Sequence, residues 1–276
     1  MRLRWVIRIA TLLVSTAGCG APLSSFQPAH VPERGQLHSE LGIDVSYPTG
    51  TFRKVVNAAR AVEDASEARA LSDDEKRTIL EGGAAVSVDP PAAIPHLGVA
   101  YAPWESWEIG LRLSTAGWRL AGRRQLLSQA ESGIDLSIGL GGGRSLLSPP
   151  VHSVLDRLRY DDFSRWNFDL PIALGRHGSW YRVWGGPRLL YSLVSHTAAL
   201  TLPRENMTVR GSVAARGLYF GGYAGAALGY KSMFIGPELT LVRLVGSADV
   251  TALGETESVD VESFIIYPGF AVMGEF

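Results

Sequence analysis

The sequence predicts an all-β fold, a closed antiparallel transmembrane β-barrel of about ten strands, with eight or twelve also possible, and a helical insertion in its first long loop. Three observations predict it. Apolar and polar residues alternate with a period of two along many separate stretches, which is the pattern of strands with one apolar face. The connections between these stretches are mostly short at one end and long at the other. The chain also stops inside a strand, residues 264–276, and this strand needs an early strand as its partner.

The composition excludes several classes of protein. The 276 residues carry a net charge of −1, which argues against a nucleic-acid partner because phosphate binding requires a basic surface. A single cysteine excludes an internal disulfide framework and a multi-cysteine metal site. The 31 glycines, with lysine only at Lys54, Lys76 and Lys231, are unusual for a soluble surface and fit a barrel whose interior holds small residues.

The first 18 residues are predicted to be a signal peptide. Three arginines within the first eight residues precede an apolar stretch, residues 6–14, which is too short for a stable membrane helix. The sequence Thr16-Ala17-Gly18-Cys19 resembles the lipobox of bacterial lipoproteins, with threonine where leucine is usual. This resemblance implies that Cys19 is lipidated, and Gly20 after it implies the outer membrane. An ordinary cleaved signal peptide is the alternative.

The mature chain is predicted to begin with a flexible tether and then to enter the barrel domain. Residues 19–36 contain prolines and small residues without apolar periodicity, which predicts a lipid-anchored tether. The barrel domain covers residues 37–276 and begins with a strand over 37–47. Residues 52–81 have helical periodicity, with a capping box from Ser72 to Glu75 and a stop at Gly82-Gly83. This insertion is either a loop ornament or a cap that binds a partner.

Nine further strands are predicted from residue 94 onward. They cover 94–101, 107–114, 118–126, 134–141, 166–175, 181–193, 218–228, 233–241 and 264–276. Short connections are expected at 102–105, 128–133, 176–179 and 230–232, and long ones at 48–93, 142–165, 197–216 and 246–260. Residues 115–117 form a tight turn on the long-loop side. Short turns at one end and long loops at the other are the plan of a bacterial outer-membrane barrel.

The apolar face of the strands is predicted to point outward, into lipid. The opposite face consists of small and charged residues, which suits a narrow lumen better than a solvated surface. Aromatic residues lie toward the ends of the apolar runs, where interfacial girdles form. The last strand ends on Phe276, which resembles the C-terminal signal of Gram-negative outer-membrane barrels and implies recognition by the barrel assembly machinery. Its outward set is Phe264, Ile266, Phe270, Val272 and Phe276.

Charged residues on the inward face predict a network inside the lumen. Unpaired buried charges cost several kcal/mol, so a near balance of signs predicts salt bridges and a lumen that is closed to large solutes. The predicted network consists of Glu40, Asp44, Glu108, Arg112, Arg119, Arg123, Asp135, Asp169, Arg182, Arg188 and Glu238.

No residue is predicted to be catalytic, cofactor-binding or metal-binding. His177-Gly178-Ser179 resembles the His-x-Ser element of the outer-membrane lipid A deacylases, but over three residues only and in a short turn. His38 and His96 are predicted to face the lumen near carboxylates, where structural hydrogen bonds are a better interpretation than a metal site. The glycine-rich stretch 139–143 lacks the Lys-Ser/Thr pair and the following helix of a phosphate loop.

The sequence therefore predicts a non-enzymatic outer-membrane protein of a Gram-negative bacterium, lipid-anchored through Cys19, with a structural or surface-interaction role. Its predicted partners are outer-membrane lipids, the barrel assembly machinery, and a protein at the surface or in the periplasm. Three alternatives stay open: a small channel or transporter, a lipid-modifying enzyme, and a soluble periplasmic lipid-binding barrel.

Overall fold

The computed structural model describes residues 20–65, 72–145, 158–202, 207–252 and 255–276. The predicted signal peptide and Cys19 lie outside the described residues, as do the middle of the predicted loop 142–165 and parts of three other predicted connections.

Ten antiparallel strands form one closed barrel, as the sequence predicts. Each strand pairs with its neighbours in the chain, and β1 pairs with β10 to close the ring. The strands are β1 (Leu37–Pro48), β2 (Ala92–Trp104), β3 (Trp107–Ser114), β4 (Gly117–Leu127), β5 (Asp135–Arg144), β6 (Leu158–His177), β7 (Tyr181–Leu202), β8 (Met207–Tyr230), β9 (Met233–Ala252) and β10 (Glu255–Glu275).

The first strand and the end of the chain meet at the seam of the barrel. His38 lies opposite Glu275, and this register continues to Pro48 opposite Ile265. The last residue, Phe276, extends the ladder by one more pair, because its carbonyl oxygen accepts from the Leu37 N–H at 2.7 Å and its N–H donates to Leu37 at 2.8 Å. The barrel is therefore closed up to the last residue of the chain.

A band of exposed apolar side chains surrounds the barrel, which confirms the transmembrane fold. In β7 the outward side chains are apolar from Val183 to Leu193, and in β8 from Leu218 to Leu228. These spans have the length of a tilted strand that crosses a bilayer core. Exposed aromatic residues lie at both edges of the band, which is the arrangement of interfacial girdles. They include Tyr47, Trp166, Tyr191 and Phe264 at one edge and Trp104, Trp107, Trp180, Tyr230 and Phe276 at the other.

The two ends of the barrel differ. We call the end with the connections after β2, β4, β6 and β8 the short-turn end, and the opposite end the helix end. At the helix end β6 to β10, with 20 to 24 residues each, rise beyond β1 to β5, which have 8 to 13. We call this extension, residues 158–165, 194–202, 207–217, 246–252 and 255–263, the projecting wall.

The projecting wall corrects the prediction of long loops at 142–165, 197–216 and 246–260, because most of their described residues are strand. Its residues keep the period of two but reverse its phase. Within the band the apolar side chains point outward, whereas in the wall they point inward, as Val194, Val213 and Ala248 do. The outward positions of the wall carry polar residues such as Arg216 and Glu262. An outward apolar face ends at the edge of the band although the strand continues, so the alternation pattern predicts strands that are too short.

Two helices follow β1, where the sequence predicts a helical insertion. They are α1 (Thr49–Ala65) and α2 (Asp73–Val88), and a short helix α3 (Gln129–Ser132) lies in a turn at the short-turn end. The predicted capping box is present: the Ser72 hydroxyl accepts from the Glu75 N–H, and the Glu75 carboxylate accepts from the Ser72 N–H at 2.8 Å. Within the described ranges, no helix is long and apolar enough to cross a membrane.

The predicted helix stop at Gly82-Gly83 is wrong, because α2 continues to Val88. Gly82 instead allows α1 and α2 to pack closely. A Cβ atom at Gly82 would lie 2.5 Å from the Cβ atom of Ala58 in α1, so only glycine permits this approach. The continuation carries Ala84, Ala85 and Val88, which are buried, and it brings α2 over the mouth of the lumen.

Candidate functional site: the lumen and its inner segment

The lumen is occupied by the chain's own N-terminal residues 20–32, which we call the inner segment. Gly20 lies at the helix end, where a Cβ atom would be 3.3 Å from Ile94 at the start of β2. His30 lies at the short-turn end, with Nε2 3.0 Å from a carboxylate oxygen of Glu275. Residues 33–35 are exposed, and the N–H of Gly35 donates to Ala102 at 2.8 Å before β1 begins. The segment thus crosses the whole lumen.

This course corrects the prediction of a flexible tether for residues 19–36. Ten of the thirteen residues from 20 to 32 are buried, and the others are half-buried. The physical reason lies in the composition of the segment, which has no Asp, Glu, Lys or Arg but contains Leu23 and Phe26. A segment that is free of charge can be desolvated inside a lumen at low cost when its backbone groups find partners.

The first part of the inner segment closes the helix end of the lumen. Ala21 and Leu23 are fully buried and pack in one apolar cluster with residues of α2 and of the projecting wall. Val88 of α2, Tyr219 of β8 and Leu244 of β9 belong to the same cluster. Apolar burial of this kind favours docking of the helices and the segment together.

Glu238 of β9 holds the middle of the inner segment. Its carboxylate accepts from the N–H groups of Ser25 at 2.7 Å and Phe26 at 2.9 Å, and from the indole N–H of Trp184 at 2.8 Å. In the described part of the chain it has no ion-pair partner within 4.0 Å. The hydrogen-bonding of this carboxylate therefore depends on the segment.

Phe26 is the aromatic anchor of the inner segment. Its ring is fully buried among apolar side chains that include Trp184, Phe234 and Met273. A Cβ atom at Gly269 would lie 2.8 Å from the ring, so glycine makes room for it. The backbone of Phe26 has φ +45°, a left-handed conformation that is unfavourable for a bulky residue and persists only where its surroundings hold it.

Luminal side chains donate to the carbonyl groups of the inner segment. Arg112 donates to the Ser24 carbonyl at 2.7 Å, and Arg188 donates to the Pro22 carbonyl at 3.2 Å. Arg123 donates to the carbonyls of Pro28 and, at 3.1 Å, of His30. The main-chain oxygens are thus bound directly, whatever side chain is attached to each of these residues.

Each of these arginines is also paired with a carboxylate of the barrel wall. The pairs are Arg112 with Glu40 at 2.5 Å, Arg123 with Glu108 at 2.8 Å, Arg119 and Arg188 with Asp169 at 2.7 and 3.3 Å, and Arg182 with Glu275 at 2.5 Å. Asp44 lies 3.2 Å from His96, and Asp135 lies 2.6 Å from His177. All eleven residues of the predicted network are buried on the inward face.

The sequence interpretation missed Glu275, Arg165 and His30. Glu275 has the inward parity of β10, opposite to Phe276, so the alternation already carries the signal for it. Arg165 falls in the predicted loop 142–165, although it is a buried residue of β6 whose Nε donates to Ser192 at 3.1 Å. His30 lies in the predicted tether, and the only feature of the sequence that could have indicated its burial is the absence of charged residues around it.

One buried carboxyl group lies at the helix end, outside the membrane band. Asp89 follows α2 and is fully buried, and its two carboxyl oxygens have no hydrogen-bond partner among the described residues. Burial raises the pKa of Asp89 to about 7, against the opposing effect of the positive charge of Arg165.

Two small cavities beside the inner segment are lined in part by Gln27 and have volumes of about 20 and 10 Å³. A space of this size holds about one water molecule.

The histidines that the sequence singles out each lie beside a carboxylate. Nδ1 of His177 lies 2.6 Å from Asp135, and its ring centroid lies 4.5 Å from that of His30. No hydrogen bond joins Ser179 to His177 among the described residues, and Ser179 is exposed. His38 lies 3.9 Å from Glu108. Over the same ranges, no group of three or more His, Cys, Asp or Glu side chains is placed to hold a metal ion.

No family model matches the chain, and no curated protein matches it. Among solved structures it is similar to the N-terminal β-barrel domain of Pseudomonas aeruginosa OprF, at 8% identity and a TM-score of 0.23, with 88% of this chain and 98% of that chain covered.

Two other solved structures are similar at the same level. Ail, the attachment invasion locus protein of Yersinia pestis, is 9% identical at a TM-score of 0.25, with 86% of this chain and 99% of that chain covered. The translocator domain of the autotransporter NalP from Neisseria meningitidis is 11% identical at a TM-score of 0.20, with 90% of this chain and 90% of that chain covered.

Proposed function

We propose that this protein is a non-enzymatic outer-membrane barrel of a Gram-negative bacterium, that it presents the projecting wall and helices α1 and α2 outside the cell, and that its lumen stays closed. The observation that carries the proposal is the occupation of the lumen by the inner segment. While residues 20–32 fill the interior of the barrel, they take the space through which a solute or substrate would pass. Its remaining accessible features are its lipid-facing band and its two ends.

The plan of the barrel supports the orientation. In bacterial outer-membrane barrels the short turns face the periplasm and the longer connections face outward. Applied here, this rule puts α1, α2 and the projecting wall at the cell surface. Outer-membrane lipids, the barrel assembly machinery and a protein bound at this surface are the proposed partners.

We further propose that Cys19 carries lipid. Its neighbour Gly20 is buried at the helix end beside Ala92, where the rim is formed by the shorter strands β1 to β5. Acyl chains on Cys19 would reach the outer leaflet over this lower rim. Mass spectrometry of the mature N-terminus tests this proposal, because acyl groups on Cys19 add a defined mass, and a chain that begins elsewhere without them contradicts it.

Surface presentation is tested with two cysteine substitutions in intact cells, and the parent chain, which carries Cys19 alone, is the control for labelling at that residue. Arg53→Cys lies on the exposed side of α1, and Glu131→Cys lies in the exposed turn at the short-turn end. A membrane-impermeant maleimide should label the first in intact cells and the second only after the outer membrane is permeabilised. Labelling in the reverse pattern contradicts the proposed orientation.

The closed lumen is tested by planar-bilayer recording. The purified protein should show no large, stable conductance steps, because the inner segment and its charge network fill the lumen. Such steps would favour the alternative of a small channel or transporter. The lipid-modifying enzyme has less support, because His177 is hydrogen-bonded to Asp135 and its ring lies against that of His30 at a tilt of 32°. The periplasmic lipid-binding barrel has less support as well, because the interior is polar and filled.

A further inference from the structure

The contacts of the inner segment are those of a bound peptide. Arg112, Arg123 and Arg188 bind its carbonyl groups, and Glu238 binds two of its N–H groups. Gln125 accepts from the Val31 N–H at 2.7 Å in addition. Peptides that add a strand to a sheet edge are recognised by main-chain hydrogen bonds for affinity and by side-chain pockets for specificity. In this closed barrel, side chains of the wall supply the hydrogen bonds to the main chain of the segment.

The composition of the inner segment matches a lumen that is rich in donors. Guanidinium groups donate and cannot accept hydrogen bonds, so they require carbonyl oxygens as partners. Pro22, Pro28 and Pro32 have carbonyl oxygens and no N–H groups, so they add acceptors without adding donors that would stay unpaired. The segment has no formal charge apart from any proton on His30, so it leaves the pairs of the wall undisturbed.

The pocket of Phe26 supplies the side-chain specificity. The ring is fully buried, its centroid lies 5.5 Å from that of His96, and the Arg112 guanidinium lies 5.8 Å from its centre. The left-handed backbone at this residue turns the ring into the pocket while both N–H groups beside it stay on Glu238. An aromatic residue at this position is therefore the side chain that the lumen selects.

The covalent connection of the inner segment to the barrel is short and lies outside the site. At its C-terminal side, residues 33–35 are exposed at the short-turn end. In the described residues the other contacts that join the segment to the wall are noncovalent. Cutting the chain at residues 33–35 would therefore convert the segment into a ligand without removing any of its luminal contacts.

We propose that the lumen is a peptide-binding site, that residues 20–32 are its tethered ligand, and that, once the connection at residues 33–35 is cut, an uncharged peptide with an aromatic residue at the same position can replace them. The inference rests on the occluded lumen of the proposed function and adds the chemical class of what the lumen binds. It does not depend on which end of the barrel faces the surface.

The test uses the full chain, folded before it is cut. A site for a sequence-specific protease replaces residues 33–36, and the purified barrel is cleaved in detergent. The cut segment should copurify with the barrel, and a fluorescent peptide with the sequence of residues 20–32 should then exchange into it. A peptide with Phe26→Ala should compete at least about tenfold more weakly, because burial of the ring is lost. A peptide with Gln27→Ala, whose parent side chain lines the small cavities, should compete within about threefold of the parent.

Three results would overturn the inference. The cut segment could leave the barrel and the added peptide fail to bind, while the barrel keeps its heat-modifiable migration. The segment could stay and never exchange, which would make it part of the folded core and not a ligand. The Phe26→Ala peptide could compete as well as the parent, which would remove the specificity pocket. The surface-labelling experiment with Arg53→Cys and Glu131→Cys is independent of all three, so a failure of this inference is distinguishable from a failure of the proposed orientation.

Discussion

Replacement of Phe26 is the sharpest perturbation of the lumen. Its ring is fully buried, so Phe26→Ala should lower the free energy of unfolding by about 3–5 kcal/mol, the usual cost of removing a buried aromatic side chain. The effect cannot exceed the free energy that holds the segment in the lumen, because beyond it the segment leaves while the barrel remains. Denaturant titration of the detergent-solubilised protein, followed by heat-modifiable migration, measures this change.

The left-handed backbone of Phe26 makes a second variant informative. Glycine usually destabilises a protein relative to alanine by about 0.5–1 kcal/mol. At φ +45° alanine itself carries a cost of about 1–2 kcal/mol, which glycine avoids. Phe26→Gly should therefore be as stable as Phe26→Ala or more stable by ~0.5–1 kcal/mol.

Gly35 provides the control for the cost of positive φ. It has φ +88° and nothing within 4 Å of a Cβ position, so Gly35→Ala should show the backbone cost without a packing change. If Phe26→Gly is clearly less stable than Phe26→Ala while Gly35→Ala behaves as expected, the strained anchor is refuted.

Three further predictions concern the network, the helix end and the seam. Arg123→Ala should destabilise by about 3–5 kcal/mol because it leaves Glu108 buried without its arginine partner. Arg243→Ala, whose pair with Glu262 is exposed, should cost less than about 1 kcal/mol in the same titration, and equal effects of the two variants would contradict the luminal network. The folded protein holds the Asp89 proton more tightly than the unfolded chain, so this group makes stability highest below about pH 4 and lowers it as the pH rises to about 7. Asp89→Asn should remove roughly 4 kcal/mol of that fall, and an unchanged pH profile would contradict the assignment. Deletion of Phe276 removes both of its hydrogen bonds to β1 and should reduce the folded barrel in the outer membrane far more than Tyr230→Ala, an exposed aromatic at the same end, whereas normal levels of the truncated protein would count against the seam.

The membrane-spanning part of the fold could be predicted because one physical rule governs it. Between the two girdles every strand has lipid on one face and the lumen on the other, so alternation with a period of two marks both the strands and their orientation. Leu189, Tyr191 and Leu193 of β7 point outward as the pattern requires. The same parity puts Arg182 and Arg188 in the lumen.

The projecting wall could not be predicted from that rule because its environment is reversed. Beyond the band the outer face of β10 meets water and its inner face meets α1, α2 and the inner segment. Val259 and Val261 therefore point inward, while Phe264 and Ile266, a few residues later, point outward. The apolar residues change from the inner to the outer face within one strand. A pattern that requires all apolar residues on the outer face therefore predicts a loop where the strand continues.

The inner segment shows the limit of composition as a guide. Prolines and small polar residues indicate a chain that cannot form a core by itself, and residues 20–32 do not form one. Their partners lie far along the chain, such as Glu238 and Arg188. The alternation predicts that each of these residues faces the lumen, but not that it binds the segment. The match between carbonyl groups on one segment and guanidinium groups on several strands has no periodic signature.

Thiol reactivity at two positions of the N-terminal residues tests the occupied lumen most directly. In a chain that carries Cys19→Ser, Ser25→Cys and Glu33→Cys place a single thiol in the buried segment and in its exposed connection, respectively. In the folded barrel the thiol at residue 25 should react at least about 100-fold more slowly than the thiol at residue 33, because labelling requires the segment to open, and the two rates should become equal after thermal unfolding. Equal rates in the folded barrel would mean that residues 20–32 are a free tether and that the lumen is not filled by them.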